Sequence, residues 1–147
     1  MNPILSAGLV IGILCALWTF VMGVTGWYKD PAMISAFFLV IPIEVGGLIW
    51  GLRKTAAEGR TFSGQVVAGT MMSVVAGVLI ICASLLFTLV AFPDYRNYRD
   101  TASTPMGEAL SGFMGTLVTG IIASAIIAIF VRANLPTPSS RLPTPKR

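Results

Sequence analysis

Residues 62–92 read FSGQVVAGTMMSVVAGVLIICASLLFTLVAF, a run with no Asp, Glu, Lys or Arg. From Val66 to Phe92 it amounts to about 27 residues, or roughly 40 Å of α-helix. A bilayer's hydrocarbon core needs only about 20 residues of helix. The segment therefore reads as a membrane span that is over-long for the core, and it should tilt or project beyond it.

Working outward, three further apolar stretches flank it, at about 4–27, 32–52 and 107–131. Hydrophobic residues make up 55% of the chain and charged residues 11%, with a mean hydropathy of +0.83, which excludes an ordinary soluble domain. Four spans and short loops use nearly all of the 147 residues, so no separate soluble catalytic domain fits. The first stretch reaches Trp27 with no Lys or Arg in Met1–Leu5, too long for a signal-peptide core, and is expected to stay attached. The expected fold class is all-α, an integral membrane four-helix bundle.

The polar residues punctuate this pattern. Asp30-Pro31 and Thr104-Pro105 are helix-start signals, since a capping oxygen serves free amides and proline suits the first turn. Arg53, Lys54, Glu58 and Arg60 suggest a second loop, and Pro93–Asp100 a third, with Tyr95 and Tyr98 suited to the membrane interface. Asp94, Arg96, Arg99 and Asp100 read as a solvated loop. Residues 132–147 form a Pro-rich basic tail with Pro136, Pro138, Pro143 and Pro145, expected to be extended. Loop two and the tail hold seven Lys or Arg, against three (Lys29, Arg96, Arg99) on the other side. The positive-inside rule then puts both termini in the cytoplasm. The net charge of +4 is spread over loops and tail, so nucleic acid is not an expected partner.

Small residues recur at helical spacing. Gly107, Ser111, Gly115, Thr119 and Ala123 make one ridge of the last span, and Gly112, Thr116, Gly120, Ser124 and Ala128 the next. Gly69 and Gly77 in the third span and Gly47 and Gly51 in the second continue the theme. In lipid, helices are held by close approach over such residues, within one chain, between copies, or against other membrane subunits.

Glu44 is the one acid deep in a span, within Ile41-Pro42-Ile43-Glu44-Val45-Gly46-Gly47. It lies about 13 Å from Arg53 at helical rise, and Pro42 should disturb the helix beside it. Ionisable groups at such depth face protein or water. Candidate partners are the hydroxyls of Thr70, Ser73, Thr116 and Thr119, water or a bound cation. Three roles stay open: a neutral acid hydrogen-bonded between helices, a proton or cation exchange site, or a contact with another subunit. Glu108, in the first turn of the last span, suits the helix dipole and reads as structural.

Other chemistry is thinly represented. Cys15 and Cys82 lie in separate spans without metal-ligand spacing and read as packing residues. The chain has no histidine, nor a nucleophile motif or phosphate loop, so no catalytic residue, metal site or cofactor is expected and an enzyme is the least favoured class. An apolar pigment or quinone could find partners in Trp50, Met71, Met72 and Phe87, although such side chains at helical spacing usually pack. The favoured function is a non-enzymatic membrane protein acting through helix contacts, as an oligomer or accessory subunit. The alternative is a small proton- or cation-coupled transporter or channel using Glu44.

Several short motifs carry a resemblance: Gly51-Leu52-Arg53-Lys54, Gly59-Arg60-Thr61-Phe62-Ser63-Gly64-Gln65, Phe92-Pro93-Asp94-Tyr95, and Gly115 to Phe130 in the last span. Over most of its length from the second span onward, the chain resembles an uncharacterised bacterial membrane family, domain-of-unknown-function family 4199. The resemblance implies four helices in a bacterial inner membrane. It brings no activity, cofactor or site residue, and Glu44 is not among the residues that carry it.

Overall fold

A computed structural model describes residues 2–98 and 104–133. Four long helices dominate: α1 (Pro3–Thr25), α2 (Val40–Ala57), α3 (Phe62–Leu86) and α4 (Pro105–Ala133). Four helical stretches, Pro3–Thr25, Ile34–Ala57, Phe62–Ala91 and Pro105–Val131, are long and apolar enough to cross a membrane. The protein is an all-α, multi-pass membrane bundle. Large apolar side chains lie on its outside, with Phe38 and Val90 each 70% exposed, as expected where the surrounding solvent is hydrocarbon.

Side-chain oxygens cap three of the four long helices. Asn2 Oδ1 accepts from the Ile4 amide at 3.0 Å ahead of α1, Thr61 Oγ1 from Gly64 at 3.2 Å ahead of α3, and Thr104 Oγ1 from Gly107 at 3.1 Å ahead of α4. These oxygens satisfy amides that have no partner within the helix. Gly26 ends α1 at φ 69°, a left-handed conformation that glycine adopts without penalty.

The helices form a ring in which α1 and α4 each pack against both α2 and α3, while α2 and α3 also meet across the bundle. Small residues permit this. A Cβ on Gly51 would run into Ala7 and Met72, and one on Gly77 into the Phe113 ring. Gly47 lies against Ile11, and Gly69 against Ser124. The core between the helices is built from Ala7, Ile11, Leu48, Leu52, Ala68, Met72 and Ala76. Gly115 differs, because a Cβ there would meet nothing within 4 Å.

Several boundaries depart from the sequence reading. Asp30 Oδ1 accepts from the Ala32 amide at 2.9 Å, but only turn follows, and the helix opens later with six residues of tight 3-10 turns, Ile34–Leu39. Pro42 explains the delay: lacking an amide, it is best tolerated near a helix start, and α2 proper begins two residues before it at Val40. Arg53 and Lys54 belong to the last part of α2 and not to a loop; Lys54 Nζ lies 3.7 Å from the centre of the Trp50 ring, a cation–π contact suited to the interface.

The long third span ends differently from a plain helix. After Leu86 it widens into a π-helical turn, Phe87–Ala91, and the Phe92 amide donates to the Phe87 carbonyl at 2.8 Å. The next residues, Pro93–Tyr98, are 3-10 helical. Tyr95, expected at the interface, is buried with Tyr28 and Phe87 in a second, aromatic core. Asp94 is exposed, whereas Arg99 and Asp100 lie outside the described residues. The tail begins within α4, which runs to Ala133; its remaining residues, 134–147, also lie outside them.

Candidate functional site: the Glu44 cavity

Glu44 occupies the second turn of α2, directly after the change from 3-10 to α-helix. That junction is tied to α1. The Trp18 indole donates to the Ala36 carbonyl at 2.9 Å, and the Cys15 thiol lies 3.9 Å from the Val40 carbonyl. The placement of the acid thus depends on Pro42 for the local break and on α1 for its orientation.

The carboxyl is 4% exposed. Ser73, in the middle of α3, donates its hydroxyl to Glu44 Oε1 at 3.2 Å. Gly120 of α4 brings a third helix against the pair: a Cβ there would overlap Ser73 and come within 3.1 Å of Glu44 Oε1. Only a residue without a side chain leaves room for this contact. Gly120, expected from the sequence as a packing residue, is therefore also part of the acid's surroundings.

The second carboxyl oxygen has no hydrogen-bond partner among the described residues, yet it is not among their fully enclosed unpaired atoms. Glu44 lines a cavity of about 540 Å³. The walls come from Cys15, Ala16 and Thr19 of α1, Ile34 to Ile41 before and within α2, Ile80 to Thr88 of α3 and its π turn, and Glu108 to Thr119 of α4. Glu44 is its floor near mid-span. Phe87 and Tyr95, both buried, bound it towards the loop end. A π-helical turn shifts side-chain register, and here it presents Phe87 and Thr88 to the cavity while Leu89 and Val90 face outward.

The residues singled out from sequence are distributed unevenly. Ser73 bonds Glu44, and Thr116 and Thr119 line the same cavity. Thr70 instead returns its hydroxyl to the Val66 carbonyl at 2.9 Å within its own helix. Glu108, in the first turn of α4, also lies in the cavity wall. Of the four residues considered for a pigment or quinone, only Phe87 lines the cavity; Met72 is fully packed, and Trp50 and Met71 are exposed. Cys15 lines the cavity, and Cys82 is exposed on the outside.

Thr19, Phe37, Ser84, Thr88 and Tyr95 were not identified from sequence as site residues. Only the tertiary fold could select them from many similar hydroxyl and aromatic side chains. Among the described residues, no Lys or Arg lines the cavity, and no three His, Cys, Asp or Glu side chains converge as a metal site would require. The arrangement offers two carboxyl groups, the buried Glu44 and the partly buried Glu108, with several hydroxyls and an aromatic wall, which favours a cation over an anion by simple electrostatics. Compared with family models, curated proteins and solved structures, the chain finds no match.

Proposed function

We propose that this non-enzymatic membrane bundle binds a proton or cation at Glu44 and works as a small proton- or cation-coupled transporter. One observation carries the reading: a deep carboxyl that lines a cavity and whose second oxygen, without a partner among the described residues, is not fully enclosed. A purely structural acid would gain most from having both oxygens bonded, because an unpaired polar atom in an apolar interior costs on the order of 1–3 kcal/mol. The hydroxyls of Thr116 and Thr119 on the same wall can share in solvating what binds. The bias of seven basic residues to three supports cytoplasmic termini.

A second reading, a helix-contact protein that pairs with itself or serves as an accessory subunit, is favoured by one observation. Gly107 and Ser111, successive members of one small-residue ridge, are exposed on α4. Reconstitution separates the two. Purified protein in liposomes is expected to carry a proton or cation flux that Glu44→Gln abolishes while leaving the fold intact. Equal flux in both proteins, or none in either, removes Glu44 transport.

A further inference from the structure

We propose that the cavity's ligand is a hydrophobic organic monocation, an alkylamine or quaternary ammonium, admitted sideways from the bilayer between the Phe38–Ile41 segment and α4. The inference rests on the Glu44 reading above and adds both the ligand's chemistry and its route.

Volume decides first against a bare inorganic ion as the natural occupant. At about 30 Å³ per water, the 540 Å³ would take about eighteen waters, and a hydrated ion would have to wet the Phe, Ile and Ala side chains that share the walls with the hydroxyls. The same volume is in the range of pockets that enclose whole organic molecules. Charge decides the sign of the ligand. Glu44 and, higher in the wall, Glu108 supply carboxyls, Ser73 bonds only one of the Glu44 oxygens, and no Lys or Arg lines the space among the described residues. Phe37, Phe87 and Tyr95 provide aromatic faces for a cation with weakly hydrated substituents.

The route follows from which walls are closed. Towards the loop end, Phe87 and Tyr95 pack edge to face, with ring centres 5.1 Å apart, and Tyr28 joins them. On the outer side, Phe38 is 70% and Ile41 41% exposed. On α4, Gly112 and Gly115 line the same cavity and are exposed, with open space where a Gly115 side chain would project. Both lips of this opening are at membrane depth, so an amphiphile already dissolved in lipid can insert its charged end towards Glu44 and leave its chain among apolar side chains.

The test uses the full chain in zwitterionic lipid nanodiscs, titrated by calorimetry with dodecyltrimethylammonium, with dodecyl sulfate as the anionic counterpart. Saturable binding of the ammonium alone is expected, weakened about tenfold or more by Glu44→Gln. Gly115→Phe, which puts a ring at one lip of the cavity that Gly115 lines, is expected to weaken binding by a similar factor and keeps the test decisive if the glutamine variant misfolds. Equal saturable binding of the sulfate, or ammonium binding indifferent to both substitutions, overturns the proposal. So does spontaneous cross-linking of Gly115→Cys between copies, which would make a second chain the occupant of the opening. Glu44-dependent flux of protons or sodium without ammonium binding overturns this inference and leaves the transport reading standing.

Discussion

Ser73 donates to one oxygen of Glu44 at 3.2 Å across the meeting of α2 and α3, and the other, in a residue that lines the cavity, has no partner among the described residues. This half-satisfied arrangement separates a site from a structural cross-link. Glutamine retains an oxygen that can accept from Ser73, so Glu44→Gln should keep the wild-type unfolding temperature within a few degrees. Ser73→Ala removes the donor and should cost about 1 kcal/mol, read as a lower Tm in detergent. A collapse of the fold in Glu44→Gln would mean that the charge itself holds the helices together.

The Gly120 and Gly115 positions, five residues apart on one helix, should respond oppositely. Alanine at Gly120 would overlap Ser73 and is expected to destabilise by about 1–3 kcal/mol. Alanine at Gly115 meets nothing and should be neutral, or stabilising by up to about 1 kcal/mol through helix propensity. Thermal unfolding of the two variants side by side checks this, and similar losses at both would refute the assigned packing.

Thr55 and Gln65 form a second buried polar contact near the α2–α3 turn, with Thr55 Oγ1 2.7 Å from Gln65 Oε1. Gln65 Nε2 has no partner among the described residues. Thr55→Val should therefore destabilise more than the double change Thr55→Val with Gln65→Leu, which removes both polar groups together. A double-mutant cycle on unfolding should give a coupling of about 1 kcal/mol; additive losses would mean that the contact is energetically silent.

Flux through liposomes and its loss in Glu44→Gln form the functional prediction, and selective alkylammonium binding the chemical one. The two fail separately. Glu44-dependent flux needs only an exchangeable carboxyl, whereas ammonium selectivity also needs the apolar walls and the opening beside Gly115.

How much was legible beforehand differs from residue to residue. The four spans were fixed by composition, because a run such as Val66–Phe92 has no other stable solvent than lipid. Glu44 stood out by depth alone, and Ser73 was among its candidate partners because hydroxyls are the remaining donors in such helices. The 3-10 opening before α2 was half legible: Pro42 marked a disturbance, but its form depended on Trp18 and Cys15 reaching across from α1. The inward turn of Tyr28 and Tyr95 was not legible, since a tyrosine suits an interface as well as an aromatic core.

By itself the sequence determined the solvent, the number of helices and the one expensive acid, all of which follow from local hydrophobicity and the cost of burying charge. Only the tertiary structure decided that α4 approaches Glu44 through Gly120, that the π turn carries Phe87 and Thr88 inward, and that one carboxyl oxygen is left open. Those relationships join residues tens of positions apart. Small-residue periodicity marks a surface as able to pack, but many pairings of such surfaces are nearly equal in hydrocarbon, and the choice among them is made by the fit of all four helices at once.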